Sequence, residues 1–197
     1  MKRLVLATSS RGKLAEMQPL LEDLGYALVT QGELGVADAV ENGLTFVENA
    51  LIKARHACAC TGLPALADDS GLIVDALGGA PGLVSAHYAG VHGDAAGNIR
   101  KLLRELAGVP EEKRAARFYS LIVLLRHAND PRPLIAEGVW EGRILEAPRG
   151  EGGFGYDPVF FDPSLGSSAA ELPAEIKNRI SHRGRALASL RETLAAC

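Results

Sequence analysis

The chain reads as an α/β protein built on a mixed β-sheet. Three observations predict this. Short apolar runs alternate with helical patterns through the first half of the sequence. A near-continuous apolar run at 118–125 has the character of a central strand. After the Asn129-Asp130-Pro131 turn, a second strand-like run returns at 134–145 with Val139, Trp140 and Ile144. Strand–helix alternation favours parallel pairing, whereas a tight return favours an antiparallel pair, so the sheet is mixed.

The elements follow in order. Leu4-Val5-Leu6-Ala7-Thr8 is a buried-strand pattern. A turn precedes a helix over about 13–23, with Leu14, Met17, Leu20 and Leu21 at helical spacing and Gly25 as its stop. Ala27-Leu28-Val29-Thr30 is a second strand. Thr45-Phe46-Val47-Glu48 is a capping box, and the helix it starts carries Val47, Leu51, Ala54 and Cys58 on one face. Ala65-Leu66-Ala67 leads into Asp68-Asp69, with a turn expected at Ser70-Gly71 before Leu72-Ile73-Val74. Gly78-Gly79-Ala80-Pro81-Gly82 is a loop. Asp94 caps a helix whose core face is Ile99, Leu102, Leu103 and Leu106. Two further helices are expected near 173–178 and from about 183, the latter with Leu187, Leu190 and Leu194 on one side.

Composition narrows the class. At 197 residues the chain suffices for one domain or two closely joined lobes. A hydrophobic fraction of 47% and a charged fraction of 23% give a real core and argue against wholesale disorder. A net charge of -3 argues against a broad nucleic-acid-binding face but leaves room for a small phosphate ligand held by local cations. Three cysteines make no disulfide framework, and Cys58 and Cys60 point apart on a helix. Met1-Lys2-Arg3 precedes an apolar run too short for a signal peptide, and no segment is long and apolar enough to span a membrane. A reduced, cytoplasmic protein is expected.

Four polar clusters could carry chemistry. Asp68-Asp69 at a strand end can offer carboxylates to Mg²⁺, with Glu41 as a further acid, or simply decorate a turn. Successive strand side chains point to opposite faces, so at most one of the pair aims into a given site unless the turn rotates them. Thr8-Ser9-Ser10-Arg11-Gly12-Lys13 places hydroxyls, N–H groups and a lysine at a helix start, which suits a phosphate as well as a plain cap. It is not a P-loop, because Gly-x-x-x-x-Gly-Lys-Ser/Thr is absent. Gly152-Gly153-Phe154-Gly155-Tyr156-Asp157 sets aromatics among glycines, for stacking on a base or for a hinge. Ser181-His182-Arg183-Gly184 begins a helix with a group able to donate to a base. By themselves, Lys53, Lys177 and Arg179 read as solvated charges.

Taken together, these pieces resemble the XTP/dITP diphosphatases, also called inosine triphosphatases. The resemblance runs through Leu6-Ala7-Thr8 with Gly12-Lys13, Gly43-Leu44-Thr45-Phe46 with Glu48-Asn49-Ala50, and Lys53-Ala54. It continues in Ala67-Asp68-Asp69-Ser70-Gly71-Leu72, Gly78-Gly79-Ala80-Pro81-Gly82, the Phe154 loop and Ser181-His182-Arg183-Gly184. Any one piece is weak; their order over nearly the whole chain is specific.

The resemblance implies a single domain over 1–197, an elongated mixed sheet with flanking helices forming two lobes around a substrate cleft. It implies Mg²⁺-dependent hydrolysis of dITP, ITP and XTP to the monophosphate and pyrophosphate, and a homodimer. Thr8, Ser9, Ser10, Arg11, Gly12 and Lys13 would hold the triphosphate with Lys53, and Ser70 would touch the substrate. Asp69 would bind Mg²⁺ and accept a proton from the attacking water, with Glu41 as second metal acid and Asp68 in support. Phe154, Gly155, Tyr156 and Asp157 would wrap base and sugar, closed by Lys177, His182 and Arg183. One departure stands out: Ser10 replaces the family's usual asparagine and lacks the amide's N–H donors. Two other readings compete. One is a Maf-like pyrophosphatase acting on pyrimidine or modified nucleotides, and the other is a nucleotide-binding regulator without catalysis. Neither nucleic-acid polymer nor membrane is an expected partner.

Overall fold

The computed structural model describes residues 1–8 and 11–195; the side chains of 11, 12 and 16 lie outside that description. Seven strands form one sheet in the order β2-β1-β3-β4-β5-β6-β7. They are β1 (Lys2–Leu6), β2 (Tyr26–Thr30), β3 (Ala65–Val74), β4 (Ala115–Leu125), β5 (Leu134–Ile144), β6 (Phe160–Asp162) and β7 (Ser167–Ser168). The helices are α1 (Arg11–Glu22), α2 (Phe46–Thr61), α3 (Ala95–Glu105), α4 (Ala174–Ile180) and α5 (His182–Ala195). β1 pairs parallel with β2 and β3, whereas β5–β6 and β6–β7 are antiparallel, so the sheet is mixed as expected.

The chain divides into two compact units. The first comprises 1–69, 120–138 and 183–197. Its core joins Leu4, Leu6, Leu66 and Ile122 of the sheet to Met17 and Leu21 of α1 and Leu187 and Leu190 of α5. The second comprises 70–119 and 139–182. Its core joins Leu72, Phe118, Trp140 and Phe160 to Leu102 of α3 and to Leu106, the residue that caps it. Both units thus pack amphipathic helices on sheet faces, and each has its own apolar centre.

Local chemistry explains the helix starts. Thr45 Oγ1 accepts from the Glu48 N–H at 3.3 Å, and Glu48 accepts in return from the Leu44 N–H at 2.7 Å. Asp94 caps α3 by accepting from the Gly97 N–H at 2.9 Å. Both match the sequence reading. The buried face of α2 is rotated from the expected one: Ala50, Ala54, Ala57 and Cys58 are buried, while Val47 and Leu51 are only partly covered. Small alanines let that helix lie close, which a count of large apolar residues does not detect.

The larger revision concerns β3. No turn interrupts it at Ser70-Gly71; the strand runs unbroken from Ala65 to Val74. Asp68 and Asp69 therefore sit in mid-strand, not at a strand end. Alternation then applies without exception, and the two carboxylates face opposite ways.

Candidate active site

The first unit holds two charge clusters, one for each acid. Asp68 is the more buried, with its side chain 1% exposed. Lys13 of α1 approaches its Oδ1 at 2.8 Å, and the Arg183 Nε, from the first turn of α5, donates to its Oδ2 at 3.4 Å. Burial by itself would raise the Asp68 pKa. Lys13 and Arg183 overcome that and hold it well below the usual carboxylate range. This carboxylate is ionised, dry and engaged by cations at both oxygens. Both of its oxygens are thus occupied by cations of the protein itself.

Asp69 faces α2. Its Oδ1 accepts from the Lys53 ammonium at 3.0 Å, and the same ammonium lies 2.9 Å from Glu41. The Lys53 side chain is only 12% exposed, so the solvated reading of this lysine fails. Burial would lower the Lys53 pKa, but Asp69, Asp68 and Glu41 raise it, and it remains an ammonium. The Asp69 pKa goes the other way from that of its neighbour: burial pushes it up, with Glu41 adding to the rise against the pull of Lys53. A carboxylate in that state is a better proton acceptor than an ordinary aspartate.

Glu41 owes its position to the turn before α2. Asn49 Oδ1 accepts from the Gly43 N–H at 2.9 Å, clamping that segment to the helix. A Cβ at Gly43 would lie 2.6 Å from the Glu48 Cβ and 2.7 Å from Asn49 Oδ1, so only glycine allows the approach. The Gly43-to-Asn49 stretch of the sequence is thus one device: a cap, a clamp and a glycine that seats against them.

Among the described residues, no group of three or more histidine, cysteine or acidic side chains could hold a metal ion. That does not conflict with Mg²⁺, which often takes one or two carboxylates and fills its shell with water and phosphate oxygens. Asp69 and Glu41, already converging on one cation, fit that pattern of donors.

The second unit carries the aromatic loop. The Phe154 N–H donates to Asp157 Oδ2 at 2.6 Å, and Lys177 of α4 donates to the same oxygen. The Lys177 ammonium also lies 4.4 Å from the Phe154 ring centroid. Lys177, like Lys53, is mostly buried by the acid it serves. Phe154 is 57% exposed, an unusual state for a phenylalanine braced at its backbone and on its ring. Tyr156 differs: its ring is in the core, and its hydroxyl donates to the Ser85 carbonyl at 2.9 Å. Of the two aromatics, Phe154 presents a ring and Tyr156 anchors the loop. Gly153 has a φ of +72°, and a Cβ there would strike Asp157 Oδ2 at 2.1 Å. His182 is buried and stacks on Phe118 with centroids 4.8 Å apart.

Ser85 was not singled out by the sequence. Its hydroxyl accepts from the Leu72 N–H at 2.9 Å, two residues beyond Ser70, while its carbonyl receives Tyr156 and, at 3.3 Å, Asn98. The one signal available was its place just after the glycine–proline loop. Ser9 and Ser10 lie outside the described residues, and of Arg11 and Gly12 only the helical backbone is described.

The first unit thus carries paired lysines and acids, a setting that suits a highly charged ligand, and the second carries a braced, exposed aromatic ring. The chain is a member of the Ham1 family, which it matches over residues 4–193. A Xylella fastidiosa protein named dITP/XTP pyrophosphatase is 63% identical over 194 residues, 98% of each chain. A Yersinia pseudotuberculosis protein of the same name is 55% identical over 194 residues, again 98% of each. Among solved structures, a HAM1 protein from Coxiella burnetii superposes with a TM-score of 0.95 at 52% identity, covering 100% of both chains. The Mycobacterium abscessus structure titled nucleoside-triphosphatase / dITP/XTP pyrophosphatase gives 0.81 at 44% identity, covering 95% of this chain and 98% of that one.

Proposed function

We propose that this protein hydrolyses the non-standard purine nucleoside triphosphates dITP, XTP and ITP to the monophosphate and pyrophosphate, clearing deaminated purines from the nucleotide pool. One observation carries the reading. Asp69, a half-buried carboxylate of raised pKa, shares Lys53 with Glu41 in a chain whose full-length relatives bear the name dITP/XTP pyrophosphatase.

Asp69 accepts the proton of the attacking water as the α–β anhydride P–O bond breaks and pyrophosphate leaves. Lys53 orients Asp69 and offsets charge growing on phosphoryl oxygens. Lys13, with Thr8, the stretch Ser9 to Gly12 and Ser70, takes the triphosphate. Asp69 and Glu41 are the acids that would hold Mg²⁺, which when bound neutralises phosphate charge and acidifies water. Phe154, braced by Asp157 and Lys177, supplies a stacking face for the base, and Gly155 lets the backbone approach it. His182 and Arg183 recognise the base. Hypoxanthine and xanthine present a 6-oxo acceptor where adenine presents a 6-amino donor, so an arginine donor there favours the former. The proposed assembly is a homodimer in the cytoplasm.

The test is pyrophosphate release from dITP, XTP, ITP, dATP, dGTP and a pyrimidine triphosphate, with and without Mg²⁺. Turnover of dITP and XTP should exceed that of dATP and dGTP by about tenfold or more and should require the metal. Equal turnover of all of them overturns the specificity. Undiminished release in a chelator overturns the metal assignment.

A further inference from the structure

Asp68 has no task in the reaction above, yet it is the most deeply buried acid of the site and touches two of the residues assigned to substrate. Lys13 and Arg183 come from helices at opposite ends of the sequence, and both converge on its carboxylate, at 2.8 Å and 3.4 Å. We propose that Asp68 is a positioning residue: a shared counter-ion that fixes Lys13 and Arg183 relative to each other and so couples triphosphate binding to base recognition. This rests on the reading of Lys13 as a phosphate ligand and Arg183 as a base reader.

The physical case starts from the number of acceptors. A carboxylate has two oxygens, enough to serve both cations at once. At 1% exposure, water cannot take either place. A buried charge must be paired, and each of the cations is also largely covered, Lys13 at 27% and Arg183 at 8% side-chain exposure. Without the negative charge, the two cations would lose the counter-ion they share and their mutual repulsion would be felt in a low-dielectric setting. Each is therefore tied to the other through the same carboxylate. When a triphosphate draws Lys13 toward itself, the hold of Asp68 on Arg183 changes with it. Energetic coupling of this kind is reciprocal: base identity must also alter how firmly the phosphates are held.

The experiment measures a ratio that partial unfolding cannot move. For the full-length protein with Mg²⁺, kcat/KM is compared for dITP and dATP, which differ at the 6-position that Arg183 reads, and the fraction of active protein cancels between substrates. Asp68→Asn, which keeps the shape and removes the charge, should lower the dITP/dATP ratio by about tenfold. Asp68→Glu, which keeps the charge on a longer arm, should lie between Asn and wild type. Arg183→Lys should lower the ratio as well, and adding it to Asp68→Asn should cause little further loss, since both act through one contact. If Asp68→Asn does not fold, Asp68→Glu decides the matter. A wild-type ratio in whichever Asp68 variants fold overturns the proposal, as does full additivity with Arg183→Lys. A wild-type protein that makes no distinction between dITP and dATP instead overturns the functional reading on which the proposal stands.

Discussion

On one side of β3, two cations share a single buried carboxylate; on the other, two carboxylates share a single lysine. The residues at the centre of these clusters are chemically identical and adjacent in sequence. Their pKa values nonetheless move in opposite directions, and strand alternation together with the helix packed on each side accounts for the difference. Where cations outnumber acids, the carboxylate is fixed as an ion and serves as an anchor. Where acids outnumber the cation, one carboxylate is driven toward accepting a proton, and a further cation is welcome.

The largest effect should follow from removing the proposed proton acceptor. Asp69→Asn should lower kcat for dITP by about a thousandfold, as expected for loss of a general base, while leaving the fold intact. Retained turnover would end the assignment of Asp69. Lys53→Gln should cost about a hundredfold in kcat. It should also move the acidic limb of the pH–rate profile upward, because Lys53 is the group holding the Asp69 pKa down against burial and Glu41. A limb that moves to lower pH would break the contrast between the two clusters.

Stability against pH separates the acids by sign. The Asp68 pKa is depressed in the fold, so its contribution is full above the unfolded value, near 4, and is lost as pH falls through the folded one. The Asp69 pKa is raised, so the fold binds that proton more tightly than the unfolded chain does, and its ionisation costs stability as pH rises through the folded value. Melting temperatures of wild type and the two asparagine variants between pH 3 and pH 7 should diverge accordingly, with the advantage of wild type over Asp68→Asn shrinking as the solution is acidified.

Smaller effects test the supports. Phe154→Ala removes the proposed stacking face, worth about 1–3 kcal/mol, so KM for dITP should rise by roughly 5- to 150-fold with kcat less affected. Asn49→Ala frees the Gly43 turn that positions Glu41, and the Mg²⁺ concentration for half-maximal rate should rise about tenfold. An unchanged Mg²⁺ requirement would remove Glu41 from the metal site.

Much of this was readable in the sequence where the physics is local. The Thr45–Glu48 box and the Asp94 cap depend on residues three or fewer positions apart, and both formed as expected. The split of Asp68 from Asp69 follows from the two-residue period of a strand. What failed was long-range. Lys53 and Lys177 read as solvated because the acids that bury them lie 16 and 20 residues away. Ser70-Gly71 read as a turn because serine and glycine favour turns locally, but pairing within the sheet kept β3 extended. β6 and β7, three and two residues long, left no periodic signal to find. Asp68 could be placed opposite Asp69, yet nothing in the sequence said that an arginine 115 positions later would meet it.

The most direct test of the contrast is equilibrium unfolding of Asp68→Asn and Asp69→Asn side by side at pH 7. Breaking a buried pair by removing one partner costs about 3–5 kcal/mol, so Asp68→Asn should be destabilised on that scale. Asp69→Asn, which replaces a carboxylate whose ionisation burial opposes and leaves Lys53 its pair with Glu41, should unfold close to wild type. Equal losses for both, or a larger loss for Asp69→Asn, would contradict the account.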